Sequence, residues 1–213
     1  MKKQNIITII GNIGAGKTSA TPIIAQALDA YAVDADNLFQ TSDPFREGYL
    51  DNRARWAFTN ELWLVFERAK ILQRELTQTK HKAVVIDSGL LMSWVYGYSH
   101  WLRQTITQEE WHFFMELYDF FTNQFSRQMT VVSLHYPIST LLARIKSRGR
   151  EFELTYYDQS YLGQIEEGIE ALEVRLKSQA VKVIRVDETL VENFVDDEQG
   201  RQKLVEVVRG GLK

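Results

Sequence analysis

Residues 11–18 read GNIGAGKT and meet the pattern G-x-x-x-x-G-K-[ST] through Gly11, Gly16, Lys17 and Thr18. These residue types at this spacing suit the holding of phosphate. With Gly14 as a third glycine, the turn from Gly11 through Asn12, Ile13 and Ala15 to Gly16 can curl backbone N–H groups around an anion, and the positive end of a following helix adds to the pull. Lys17 would then reach the β- and γ-phosphates of a triphosphate such as ATP, and the Thr18 hydroxyl would be a ligand for Mg²⁺. The plainer alternative is a tight strand-to-helix turn without a ligand.

A second cationic group lies in ARIKSRGREFEL, residues 143–154. Arg144 and Arg148 are four apart and share a helix face, and Arg150 follows a glycine. Guanidinium forks bind phosphate oxygens bidentately, so the segment around 146–156 reads as a lid that closes on transferring phosphates, with Arg148 and Lys17 balancing charge. The alternative is a solvated basic helix end.

Three sets of carboxylates could complete the chemistry. Asp34 and Asp36 follow the short strand YAV, residues 31–33, where either could take a proton from an attacking hydroxyl or merely cap a helix; Asp34 is slightly favoured. Asp87 closes the strand KAVVID and is placed to help hold Mg²⁺. Glu61 borders the helical stripe of Phe58, Leu62, Val65, Ala69 and Leu72, so it either lies exposed at the stripe's edge or faces a pocket. As a charged carboxylate in a pocket it could only accept hydrogen bonds, which would favour the adjacent donors of guanine.

These groups need a scaffold. Apolar, β-branched runs at 5–10, 82–87, 129–134 and 181–186, with a shorter one at 31–33, alternate with helical stretches. That pattern predicts an α/β fold, a parallel sheet covered on both faces. The chain of 213 residues is read as a single domain with a lid. Pro22 falls within the helix after the phosphate loop and should remove one of its hydrogen bonds. The balance of 25 basic and 28 acidic residues, 25 − 28 = −3, speaks against a dedicated nucleic-acid binder. Cysteine is absent, and the histidines at 81, 100, 112 and 135 lack zinc-ligand spacing. No apolar run has membrane-spanning length and the N-terminus does not read as a signal peptide, so a cytoplasmic place is expected. Over 109–125, Trp111, Phe114, Tyr118, Phe121 and Phe125 form one stripe, beside a second of Phe113, Leu117 and Phe120. So wide an apolar arc must be covered on two sides, the second by another subunit or by the chain itself.

GNIGAGKT, DPFREGYLDNRARWAF, VVIDSG and RIKSRGREFEL followed by SYL together resemble the deoxynucleoside kinase family, most of all its bacterial deoxyadenosine and deoxyguanosine kinases. The resemblance implies a homodimeric P-loop kinase with a five-stranded parallel sheet, moving the γ-phosphate of a nucleoside triphosphate to the 5′-hydroxyl of a deoxynucleoside. It further implies that Glu153 binds the sugar 3′-hydroxyl, that Asp87 opens the family's Asp/Glu-Arg-Ser motif, and that Asp34 or Asp36 serves as base. It places Asp36, Trp56, Glu61 and Ser88 beside the nucleoside. Here Ser88 and Gly89 stand where the family has Arg and Ser, Ser93 where it has an Asp, Glu61 where it has a Gln, and Leu50, beside Tyr49, where it has a Tyr. These departures imply an altered acceptor. Two other readings keep the donor side: a kinase for another small hydroxyl compound or a nucleoside monophosphate, and a non-catalytic nucleotide-binding protein.

Overall fold

The computed structural model describes residues 5–35, 38–124 and 129–213. Asp36 and Phe125 therefore lie outside the described residues. Five strands, β1 (Asn5–Gly11), β2 (Tyr31–Asp34), β3 (Ala83–Asp87), β4 (Met129–His135) and β5 (Lys182–Asp187), form one sheet in the order β2-β3-β1-β4-β5. Every pairing is parallel.

Alternation along each strand splits the core in two. Ile6 and Ile10 of β1, Val84 and Ile86 of β3, and Val131 of β4 face one side. Ile7 and Ile9, Val85, and Val132 and Leu134 face the other. A strand buried on both faces favours apolar residues at most positions, which is why these runs are nearly continuous.

The first side is covered by α4 (Arg53–Gln78), α5 (Gly89–Leu102), α6 (Gln108–Thr122) and α9 (Gln159–Ser178). On α4 the predicted stripe is the buried face at Val65, Ala69 and Leu72. The second side is covered by α1 (Lys17–Ala27), α7 (Ile138–Arg148) and α10 (Glu198–Leu212). Short helices α2 (Leu38–Thr41), α3 (Arg46–Asp51) and α8 (Glu151–Tyr156) edge the strand ends. Pro22 does lie inside α1, so the Thr18 carbonyl gains no helical donor from it, yet the helix runs on to Ala27.

The two aromatic stripes of α6 part company. Trp111, Phe114 and Tyr118 are buried, whereas Phe113 is 53% and Phe120 65% exposed. No helix among the described residues is long and apolar enough to cross a membrane.

Candidate active site

Crossover helices leave a crevice at the carboxyl ends of parallel strands. Here it is a cavity of about 890 Å³. That is near the upper end for small-molecule sites, as room for two reaction partners requires.

One end is the phosphate loop between β1 and α1. Gly14, Gly16, Lys17 and Thr18 line the cavity, with Ile13. Gly16 caps α1 at φ 93°, a conformation that glycine adopts without a Cβ penalty. Lys17 is 7% exposed and folds back to donate to the Asn12 carbonyl at 3.1 Å. Gly11, Asn12 and Ala15 stand behind the loop, outside the lining residues. The lid arginines gather at the same end: Arg144, Arg148 and Arg150 all line the cavity. Arg144 lies 4.2 Å over the Tyr136 ring and donates to the Gly14 carbonyl at 3.4 Å. Helix α7 ends at Gly149 in the left-handed conformation, φ 68°, and the chain re-enters helix at α8. This turn brings Glu153 back under the arginines. Arg148 reaches its Oε2 through Nε at 2.8 Å and Nη2 at 2.6 Å, and Arg150 reaches Oε1 at 3.2 Å. Glu153 is 2% exposed, so these cations compensate a buried charge.

Asp34 and Asp87 are register partners at the ends of the neighbouring strands β2 and β3. Asp34 lines the cavity; Asp87 is 1% exposed, and its Oδ1 accepts from the Ser88 hydroxyl at 3.1 Å. Ser88, expected beside the nucleoside, is not among the lining residues. It is fully buried in a strained turn, φ 60° and ψ −61°, with its N–H on the Ile9 carbonyl and its hydroxyl on Asp87. Trp56 is likewise not among the lining residues. Its ring lies against Gly48 and stacks on Phe45 at 5.8 Å, a packing role set by α3.

Glu61 does face the cavity, and it is 3% exposed. Burial raises its pKa to about 8, against the pull of Arg68 and with the push of Asp43. Asn60 beside it donates to Asp43, itself raised chiefly by burial. The cations at this end escaped sequence reasoning. Arg68, one face of α4 on from Glu61 and Leu64, is 2% exposed and donates to Ser93 Oγ at 2.7 Å and to the Ala35 carbonyl at 3.3 Å. Arg53 lies 5.6 Å from the ring centres of both Tyr49 and Tyr161. Tyr157 and Tyr161 stack at 5.1 Å to form an aromatic wall. An arginine at i+7 from Glu61, on the same helix face, was the available signal for Arg68; Arg53 and the tyrosines left none.

Behind the loop, His135 at the end of β4 is clasped by two carboxylates of α9. Its Nδ1 lies 2.6 Å from Glu166 and its Nε2 2.6 Å from Glu173. With both nitrogens on carboxylates, the ring must carry two protons. Burial alone would lower its pKa, but the bonds to Glu166 and Glu173 prevail and raise it to about 9. Glu166 also accepts from Asn12 Nδ2 at 2.9 Å, so the clasp reaches the phosphate loop.

Among known proteins, the family model for "Deoxynucleoside kinase" matches residues 7–212. A deoxyguanosine kinase of Bacillus subtilis (strain 168) is 25% identical over 167 residues, covering 78% of this chain and 76% of that protein. A deoxyadenosine/deoxycytidine kinase of the same organism is 24% identical over 213 residues, covering 91% of each. Among solved structures, deoxyadenosine kinase from M. mycoides with bound dCTP aligns over 97% of this chain and 98% of its own, with a TM-score of 0.73 at 19% identity. The same enzyme with bound dATP gives a TM-score of 0.72.

Proposed function

Because the chain belongs to the deoxynucleoside kinase family, we propose that it moves the γ-phosphate of ATP or another nucleoside triphosphate to the 5′-hydroxyl of a deoxynucleoside or nucleoside-like acceptor. One observation carries the reading: a single cavity holds Lys17 and the lid arginines at one end and the carboxylate of Asp34 with the Glu61 wall at the other.

The roles follow from position. Backbone N–H groups of the loop and Lys17 hold the triphosphate. Asp34, at a strand end, accepts the proton of the attacking hydroxyl. Thr18 and Asp87 offer hard oxygen donors of the kind Mg²⁺ takes, and Mg²⁺ held there would offset phosphate charge. Arg148 and Arg150 swing from Glu153 to the phosphoryl group, whose spread charge suits guanidinium forks. Glu153, thus released, takes the sugar hydroxyl. The acceptor preference departs from that of relatives with Arg and Asp at positions 88 and 93, because Arg68 is here bonded to Ser93. The exposed stripe of Phe113 and Phe120 on α6 seats a second copy, making the enzyme a homodimer. It works in the cytoplasm, where nucleoside triphosphates are at hand.

Steady-state kinetics with ATP, Mg²⁺ and the four deoxynucleosides test this. At least one should yield a 5′-monophosphate, and Lys17→Ala should lose both turnover and stabilisation by the triphosphate. Triphosphate binding without phosphate transfer to any nucleoside would overturn the reading, as would a Lys17→Ala variant with undiminished affinity.

A further inference from the structure

Glu61 stands on the inner face of α4 and lines the cavity beside Asn60, Leu64 and Arg68. Its Oε2 is buried with no hydrogen-bond partner among the described residues, and its Oε1 lies 3.9 Å from Nε2 of His100. That approach is not an ion pair. The Thr105 hydroxyl donates to the His100 carbonyl at 2.9 Å, so Nδ1, 2.8 Å from the same hydroxyl oxygen, carries the ring proton. Nε2 is then a lone pair, and it accepts from the Tyr49 hydroxyl at 3.0 Å. Burial, with Arg103 and Arg53 nearby, holds the imidazole down to about 3, so it stays neutral. Glu61 therefore faces a lone pair where a cation would be needed to keep it charged.

We propose that Glu61 meets the acceptor as a carboxylic acid and selects a base edge that pairs an amino donor with a bare ring nitrogen, as adenine and cytosine do. This rests on the kinase reading above. An acid presents an O–H donor and a carbonyl acceptor side by side, the same pair that a glutamine amide offers. The base's amino group donates to the carbonyl, and the acid O–H donates to the ring nitrogen. A carboxylate has acceptors only and would set its charge against that nitrogen's lone pair. The preference for guanine expected of a charged Glu61 is thereby replaced.

The groups that bear on Glu61 come from each neighbouring element: Arg68 on α4, Asp43 before α3, Tyr49 on α3, His100 on α5 and Tyr161 on α9. Among the described residues only Arg68 favours the charged form, and its donors also serve Ser93 and the Ala35 carbonyl. Burial outweighs it, and at neutral pH the acid prevails.

The test is kcat/KM for deoxyadenosine and deoxycytidine across about pH 6.5 to 9, for wild type and Glu61→Gln. As the acid fraction falls from nearly all to about one tenth, wild-type kcat/KM should fall about tenfold. Glu61→Gln should keep both substrates and lose this pH dependence. The ratio of the two profiles cancels titrations elsewhere, including that of His135. Thermal melting checks that the variant folds. A buried acid raised from 4.5 to about 8 lowers stability as pH climbs between those values, and an amide does not, so Glu61→Gln should melt higher at about pH 8.5. Parallel profiles for the two proteins, or a Glu61→Gln variant that rejects deoxyadenosine and deoxycytidine, would overturn the inference. If no deoxynucleoside is phosphorylated, the kinase reading has failed instead. Calorimetric affinity for deoxyadenosine then decides this one: pH-dependent in wild type and flat in the variant supports it, while flat or absent binding in wild type overturns it.

Discussion

Replacing His135 by Phe should cost about 3 kcal/mol of stability at neutral pH and remove an alkaline limb from the stability profile. The span from 6.5 to about 9 corresponds to about 3 kcal/mol at 1.36 kcal/mol per decade. His135 is 5% exposed, so little solvent screening reduces that figure. Glu173 tells the same story from the other side. Burial raises it, but its bonds to His135 and Ser133 win and hold it at about 2. The two values describe one interaction and are not added. The folded pKa of His135 lies above the unfolded one, so its contribution is full below about 6.5 and is lost as pH climbs through about 9. For a chain of this length about 3 kcal/mol is a fall in Tm of roughly 6–12 °C. Thermal unfolding followed by circular dichroism from about pH 6 to pH 10 measures it. The wild-type and His135→Phe curves should stand furthest apart near pH 6 and converge toward pH 10, and the titration of Glu61 cancels in their difference. A gap that stays constant with pH would refute the argument, since a loss of packing alone has no reason to titrate.

Two further outcomes follow from the lid and the α6 face. Arg148→Ala and Arg150→Ala should lower kcat, by about 100-fold for Arg148, more than they weaken triphosphate binding, because phosphoryl charge grows toward the transition state; equal losses would make these arginines binders only. Phe120→Glu should convert a dimer to a monomer in analytical ultracentrifugation at micromolar concentration without loss of fold, and a wild-type monomer there would overturn the dimer proposal.

Much of the fold was legible because strand and loop signals are local. The β-branched runs at 5–10 and 129–134 became β1 and β4 to within a residue, since strands buried on both faces are built mostly of apolar residues. Even the short run at 31–33 paired, as an edge strand with only Val33 buried. The donor end was legible for the same reason: eight consecutive residues carry the loop, and Arg144, Arg148 and Arg150 sit within one turn and its exit. The acceptor end was not, because it is assembled across elements. Nothing near Ser93 announces that Arg68, 25 residues earlier, will bond to it. Counting along the family motif places Ser88 beside the nucleoside, whereas the turn after β3 buries it and turns its hydroxyl onto Asp87. His135 looked ordinary because its partners lie 31 and 38 residues away on another helix.

The glycines of the phosphate loop are also constrained from behind. A Cβ on Gly16 would come 2.8 Å from the Phe194 ring, one on Gly11 2.9 Å from the Leu134 carbonyl, and one on Gly14 3.0 Å from the Leu141 carbonyl. The fold would thus demand these glycines even in a descendant that had stopped binding nucleotides. Their persistence in a lineage reports on architecture, and a Gly16→Ala enzyme that fails has not shown which of its two neighbours, ring or phosphate, was offended. Lys17 and Thr18 carry the functional information in this motif, because both line the cavity.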